Sequence, residues 1–286
     1  MPGAIGSMDA CHVLIERCSQ RLKQNHLGGK SKSTCRSFNL TANHRRQILH
    51  TTTGHPARWN DKTIVLYDEL AKKLKKGDIL QDHVFDMYER NALGEIITVK
   101  YSGAWLVVDN GYLNWSVTVP PITKTVYYNE TRWSEWMESM RKDVECTFGI
   151  MKGRFRILKS GIRLHGVDIA DNIWMTCCAL HNHLLEIDGL SSEWQGELGL
   201  FDFDDNMDEV PFSIKRLNNP ANRRRYDSSG LDHTLSVDDC EDEEPIIENQ
   251  DFSSTDISYT STNQVHKLGL SLFRNKLIEH FDILFK

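Results

Sequence analysis

The chain has 286 residues, of which 40% are hydrophobic and 26% are charged, with a formal net charge of −6. This composition allows a buried core, and the absence of any run of about 18 apolar residues excludes a membrane-spanning helix. The N-terminal residues lack the basic stretch and long apolar core of a signal peptide. The seven cysteines show no CxxC spacing, which indicates a reducing compartment and not a disulfide framework.

The charge is distributed unevenly along the chain. Residues 1–163 carry 25 Lys and Arg against 16 Asp and Glu, whereas residues 164–286 carry 9 against 24. A basic first half suits a polyanionic partner such as a nucleic acid, and the acidic second half does not. A protein with an acidic disordered tail and no such partner would show the same asymmetry, so charge alone leaves both interpretations open.

The first segments of the chain read as strands separated by a loop. A strand-like run at residues 11–15 follows Asp9, and two segments rich in β-branched residues, 37–43 and 47–54, continue the pattern. Residues 17–36, with several Gly, Ser and basic residues, are predicted to form a loop. The sheet is therefore predicted to begin as an antiparallel meander.

A helical segment follows the meander. Apolar residues at helical spacing predict a helix over 62–76, which Asn60 or Asp61 can cap and which Gly77 ends. Within the ambiguous stretch that comes next, residues 95–101 fit a further strand.

Residues 104–112, AWLVVDNGY, are the stretch on which the functional inference depends. Five mostly apolar residues predict a short buried strand that ends at Asp109, and Asn110-Gly111 follows as a turn. A carboxylate at the end of a buried strand is costly unless it is paired, hydrogen-bonded or bound to a metal. Because open α/β sheets place their chemistry beyond the carboxyl ends of strands, Asp109 is the first candidate for a functional residue.

Two amphipathic helices are predicted beyond this strand. Residues 133–152 repeat apolar side chains every four positions along one face: Trp136, Met140, Val144 and Phe148. Ser134 is the predicted N-cap, and Glu145, beside the apolar face, is expected to lean toward the core. The second helix covers residues 168–187.

The sequence changes character after about residue 193. Acidic and polar runs predict a largely irregular segment over 191–263, and helical spacing within 264–286 predicts a terminal helix. The predicted organisation is thus a core at 1–190, an acidic linker and a C-terminal helix.

Three carboxylates can meet in such a core. If the strands that carry Asp9 and Asp109 are neighbours, the two side chains approach each other, and a helix across the strand ends can bring in Glu145. Three gathered carboxylates cannot all stay ionised without a cation. Two Mg²⁺ or Mn²⁺ ions suit oxygen ligands and would promote cleavage of a phosphodiester.

Five motifs in order resemble those of PIF/Harbinger-type DDE transposases, members of the RNase H-like transposase and integrase superfamily. The sequences are GAIGSMDACHV, TTTGHPARWNDKTI, WLVVDNGYLNW, RKDVECTFGIMKGRFRIL and TCCALHNHLLE, spread over residues 3–187. Asp109 and Glu145 are separated by 35 residues, a spacing typical of such triads. The resemblance departs at Ala10-Cys11, where the family usually has Gly-Thr.

The resemblance implies an α/β fold with an RNase H-like mixed sheet, in which an antiparallel meander precedes a parallel strand, flanked by helices. It implies that Asp9, Asp109 and Glu145 are the catalytic residues and ligands of two Mg²⁺ or Mn²⁺ ions, with DNA as substrate and the nucleus as location. Asp61 falls on a recurrent aspartate of the family and is assigned a supporting role, with a simple N-cap as the alternative. Arg141 either pairs with Glu145 or reaches a phosphate.

The resemblance also concerns partners. Family members carry an N-terminal helix-turn-helix region ahead of the core, and this chain begins eight residues before Asp9. Recognition of DNA ends is therefore expected to need a separate Myb-like DNA-binding protein, and a homo-oligomer is compatible with the family.

Basic residues beyond the glutamate motif are candidates for DNA contacts. Lys152, Arg154 and Arg156 alternate with Phe155 and can track a DNA backbone, although a solvated basic face would have the same sequence. The cysteines and histidines of TCCALHNH superficially resemble a zinc site, for which core packing is the favoured alternative.

Three functional interpretations follow. The first is a metal-dependent nuclease and strand transferase acting on DNA. The second is a transposase-derived protein that binds DNA or proteins without catalysis. In the third, an unrelated α/β protein, the three carboxylates would lie far apart.

Overall fold

The computed structural model describes residues 1–28, 33–189 and 262–285, which form a mixed sheet flanked by helices. The strands are β1 (Ala4–Leu14), β2 (Cys35–Ala42), β3 (Ile48–Thr51), β4 (His55–Pro56), β5 (Val84–Arg90), β6 (Ile96–Ser102), β7 (Trp105–Val107), β8 (Thr118–Val119) and β9 (Asn263–Gln264). The helices are α1 (Gln20–His26), α2 (Asp61–Val65), α3 (Glu69–Lys76), α4 (Tyr128–Arg154), α5 (Arg156–Ser160), α6 (Val167–Ile187) and α7 (Leu270–Leu284). The mixed α/β fold class predicted from the sequence is confirmed.

The main sheet has the strand order β3-β2-β1-β7-β8, with β4 paired to β2. The meander of β1, β2 and β3 is antiparallel, and β7 lies parallel to β1 with Ser7 opposite Val107. β1 is a central strand, paired with β2 on one side and β7 on the other. Helix α4 covers one face, where Val144 and Met151 join Cys11 and Phe38 in a buried cluster.

A smaller sheet occupies the stretch that was ambiguous in sequence. Strands β5 and β6 form an antiparallel hairpin, and β9 pairs in parallel with the end of β6. Phe85 and Met87 of β5 point into the core that also contains Trp105 and Phe273. The prediction of a strand at 95–101 is thus confirmed within one residue.

Two predictions of secondary structure near the start of the chain, a loop and a helix, need correction. The predicted loop at 17–36 contains α1, since its helix-forming Gln, Arg, Leu and Lys residues outweigh the flanking Ser and Gly. The single helix predicted over 62–76 is broken into α2 and α3. The break occurs because buried Asp68 turns its carboxylate onto the Ala71 backbone N–H and begins a second helix there.

The long helix α4 also differs from its prediction. It begins at Tyr128, where the Glu130 carboxylate accepts hydrogen bonds from the Val126 and Tyr127 N–H groups. Ser134, the predicted N-cap, lies inside the helix and accepts a hydrogen bond from Ile122 N.

The predicted apolar stripe of α4 faces the core at Val144 and, partly buried, at Met140 and Phe148, but not at Trp136. The fully buried apolar residues are Trp133, Met137, Val144 and Met151. Trp136 remains 43% exposed and contacts the rings of Phe281 and Phe285 on α7. Helix α6, by contrast, starts and ends within a residue of its predicted bounds.

Helix α7 packs against the edge of the smaller sheet. His280 Nδ1 accepts a hydrogen bond from Tyr88 N, and Glu279 Oε1 accepts one from Arg90 N, so side chains of the helix satisfy the free N–H groups of β5. The Lys276 ammonium also pairs with the buried carboxylate of Glu89. The predicted irregular acidic segment lies outside the described residues, apart from its last two positions.

In the described part of the chain, no helix is both long and apolar enough to cross a lipid bilayer.

Candidate metal centre

Asp9 and Asp109 lie side by side where two parallel strands diverge. Ser7 of β1 and Val107 of β7 are the last paired residues of the ladder, and each aspartate comes two residues later in the chain, Asp9 within β1 and Asp109 beyond the end of β7. Because both offsets are equal, the register of the ladder brings the two aspartates near each other where the strands diverge. The carboxylates also interact electrostatically. The two sequence-predicted aspartates therefore meet, as expected from neighbouring strands.

Asp61 joins this pair from the start of α2. A Cβ at Gly111 would lie 2.8 Å from Asp61 Oδ2 and 3.0 Å from Asp109 Oδ1, which places those two oxygens within about 6 Å of each other. The N-cap of α2 is Asn60, whose side chain accepts from Thr63 N. The alternative in which Asp61 is the N-cap is thus wrong.

Gly111 is a residue of the site that sequence reasoning treated only as part of a turn. Its N–H donates to Asp109 Oδ1 at 2.9 Å, and any side chain at this position would collide with the carboxylates. The sequence signal was the Asn-Gly pair directly after an acidic strand end.

The carboxyl of Asp9 is largely buried and lies near other carboxylates. Burial raises the pKa of Asp9 to about 7, and the nearby charges of Asp109 and Asp61 act in the same direction. A hydrogen bond from Ala10 N and the positive charge of Arg141 lower the pKa but do not offset that rise. The protein alone therefore leaves the negative charge at Asp9 poorly compensated.

Glu145 is on the same helix as Arg141 but is not gathered with the aspartates. Its side chain is 45% exposed, in contrast to the expectation that it leans toward the core. Arg141 Nη1 donates to Glu145 Oε1 at 2.6 Å, and Arg141 Nε donates to Glu138 Oε2 at 3.0 Å. Of the two roles predicted for Arg141, the structure contains the ion pair with Glu145. The guanidinium of Arg141 also interacts electrostatically with Asp9.

The three basic residues beyond the glutamate motif have different surroundings. Arg154 pairs with Asp188 at 2.6 Å and is only 14% exposed, because it ties the end of α4 to the end of α6. Lys152 Nζ lies 3.4 Å from the His12 carbonyl oxygen. Arg156 is exposed on α5.

The donor set fits a hard divalent cation only in part. Carboxylate oxygens are the ligands that Mg²⁺ and Mn²⁺ prefer. Asp9 and Asp109 provide two carboxylates, and the negative charge of Asp9 is poorly compensated by the protein. Among the residues that the structure describes, however, no three His, Cys, Asp or Glu side chains stand close enough to form a complete metal site. Cys177, Cys178 and His181 are buried in the core, as core packing predicts.

The model of the DDE superfamily endonuclease family matches residues 8–182 of the chain. The match covers more than half of the sequence, and the chain belongs to this family. It begins one residue before Asp9 and ends within α6.

A relative supports the same placement. The chain is 20% identical over 190 residues to "Protein ALP1-like" from Arabidopsis thaliana, a match that covers 66% of this chain and 44% of that protein. The chain thus spans less than half the length of this relative. No solved structure matches the chain.

Proposed function

We propose that the protein is a metal-dependent DNA endonuclease and strand transferase of the transposon type that acts in the nucleus. The observation that carries the proposal is the pair of carboxylates at Asp9 and Asp109, which follow the paired segments of β1 and β7, interact electrostatically and are short of compensating positive charge. Membership of the DDE superfamily endonucleases supports a phosphodiester substrate.

Asp9 and Asp109 would hold two divalent cations together with a third carboxylate. A metal pair would supply an activated water or 3′-hydroxyl and would stabilise the leaving oxygen. Glu145 can serve as the third ligand only after its ion pair with Arg141 opens. Asp61 already lies near Asp109 and is the alternative third carboxylate.

The DNA backbone would cross the basic end of α4. Arg156, exposed on α5, offers positive charge there, whereas Arg154 is paired with Asp188 and Lys152 donates to the His12 carbonyl oxygen. Once Arg141 releases Glu145, its guanidinium is available to a phosphate oxygen. A Myb-like DNA-binding protein and a second copy of the chain are the proposed partners for recognition of DNA ends.

A nicking assay on supercoiled duplex DNA tests this function. With Mn²⁺ or Mg²⁺ the parent protein is expected to nick the DNA, and Asp9→Asn and Asp109→Asn should each lower the rate by roughly 100-fold or more. Asp86→Asn is the matched control, because Asp86 is an exposed aspartate of β5 paired with Lys100. Equal rates in the two site variants and the control would refute the catalytic assignment.

A second candidate function is a transposase-derived protein that binds DNA or proteins without cleaving DNA. The ion pair between Arg141 and Glu145 favours it, because this contact engages the carboxylate that the family resemblance assigns as the third ligand. It predicts no nicking by the parent protein under any metal condition, together with metal-independent DNA binding in a mobility-shift assay.

A further inference from the structure

A buried chain of polar side chains connects α3 to the loop that carries Asp109. Its centre is Asn39, a fully buried residue of β2 that lies opposite Ala10, the neighbour of Asp9, in the β1–β2 ladder. Asn39 Nδ2 donates to Asp68 Oδ2 at 2.8 Å, and Asn39 Oδ1 accepts from the Tyr112 hydroxyl at 2.7 Å. Both ends of one amide are therefore used inside the core.

Asp68 anchors this chain at its far end. Its carboxylate is fully buried, and its second oxygen accepts the Ala71 N–H at 2.9 Å as the N-cap of α3. A side chain that caps a helix while bonding an amide has little freedom to move. The position of Asn39 is fixed in turn by its own backbone, since Asn39 N donates to Thr52 Oγ1 and Asn39 O accepts from Thr51 Oγ1.

Tyr112 lies at the near end, three residues after Asp109. The β1–β7 pairing stops at Val107, so the ladder does not extend to Asp109 itself. Beyond that point the turn is closed by the Gly111 N–H on Asp109 Oδ1, and Tyr112, 2% exposed, ties the turn back to β2 through Asn39. The hydroxyl of Tyr112 therefore connects the strand beside Asp9 with the loop that bears Asp109.

We propose that Asp68, Asn39 and Tyr112 are positioning residues that set the separation of the Asp9 and Asp109 carboxylates for metal binding. These three side chains, called the relay below, act on the loop that carries Asp109 through hydrogen bonds and do not themselves contact a substrate. Its consequence for metal binding rests on the proposed function, whereas its effect on the loop does not. Supporting residues behind metal ligands typically change metal affinity by about 10–100-fold when they are lost.

A purely structural role would have a different signature. Removing any buried, hydrogen-bonded tyrosine hydroxyl destabilises a protein by a similar amount, because its partner is left unsatisfied. Tyr101 provides this comparison: it is 3% exposed, and its hydroxyl donates to Glu89 in the smaller sheet, away from the aspartates. Tyr112→Phe and Tyr101→Phe thus each remove the hydroxyl of a buried tyrosine, whose partner is an amide oxygen in the first case and a carboxylate in the second.

The experiment measures Mn²⁺ affinity by calorimetry and backbone amide exchange without metal, for the full chain and both variants. Tyr112→Phe is expected to bind Mn²⁺ about tenfold more weakly and to exchange faster over residues 106–115. Tyr101→Phe should keep the parent affinity and the parent exchange in that segment, with a comparable loss of thermal stability.

Two results would overturn the positioning role. One is a Tyr112→Phe protein with parent-like Mn²⁺ affinity, and the other is an equal loss of affinity in both variants. If the parent binds no Mn²⁺, the proposed function fails, and exchange alone decides. Faster exchange at 106–115 only in Tyr112→Phe would support the relay, and unchanged exchange would refute it.

Discussion

At the scale of single residues, the candidate site is defined by how charge is distributed among a few side chains. Asp9 and Asp109 interact where β1 and β7 diverge, and burial together with mutual repulsion raises the pKa of Asp9 to about 7. The positive charge of Arg141 lowers this pKa, yet its hydrogen bonds go to Glu138 and Glu145. The arginine therefore compensates the helix carboxylates more than the aspartates.

This distribution makes Arg141→Met an informative substitution. Methionine keeps much of the apolar stem of arginine but removes the charge, so Glu145 loses its partner and can turn toward the aspartates. Because partly exposed ion pairs are worth about 0.2–1 kcal/mol, Mn²⁺ affinity should increase by roughly two- to fivefold. Isothermal titration of the DNA-free protein measures this change.

Glu138→Gln is the control for this substitution, because it removes the other partner of Arg141 and leaves the pair with Glu145 intact. Mn²⁺ affinity that is unchanged or weaker in Arg141→Met would mean that Glu145 does not act as a ligand in competition with Arg141.

The sequence could identify the aspartates but not the state of Glu145. Asp9 and Asp109 lie in motifs that resemble those of the family, and the parallel pairing of β1 with β7 brings the segments that carry them together. The orientation of Glu145 depends on which rotamer Arg141 adopts, and a sequence pattern contains no information about that. Asp61 was similarly placed by the approach of α2 to Gly111, a tertiary contact that its position at a helix start does not reveal.

At the scale of elements, α7 completes the smaller sheet with side chains in place of a strand. His280 Nδ1 accepts the Tyr88 N–H at 2.8 Å and the His280 ring stacks on Tyr88, so the imidazole must stay neutral to keep this bond. Burial lowers the pKa of His280 below its ordinary value of 6.5, and the positive N-terminal amino group adds to the effect. Docking of α7 is therefore linked to pH.

The sign of this linkage is set by the lowered pKa. In the unfolded chain His280 takes up a proton as pH falls below about 6.5, whereas in the folded protein it resists protonation until lower pH. Its contribution to stability is therefore fully present above that range and is lost as pH falls through the lowered pKa. His280→Asn retains an acceptor at the Nδ1 position but cannot be protonated.

We therefore expect the free energy of unfolding to decrease less between pH 7 and pH 5 in His280→Asn than in the parent. Denaturant unfolding at several pH values measures the difference, and the other buried histidines cancel because both proteins contain them. Identical pH slopes would contradict the proposed link between His280 and α7 docking.

At the scale of the whole molecule, the sequence predicted the mixed sheet and the antiparallel meander at its start. Local patterns were sufficient for this, because β-branched segments, a buried apolar run and two amphipathic helices each specify their own element. They were insufficient where a distant element decides. Trp136 was assigned to the core face of α4, but the rings that contact it belong to α7, and the break at Asp68 depends on Asn39 in β2.

The central claim is that Asp9 and Asp109 are ligands of a divalent metal, and anomalous diffraction from crystals grown with Mn²⁺ tests it most directly. The account predicts an anomalous peak bounded by the Asp9 and Asp109 carboxylates, with Glu145 or Asp61 as a third ligand, and the loss of this peak in Asp109→Asn. Ordered Asp9 and Asp109 side chains with no Mn²⁺ between them at saturating metal would contradict it.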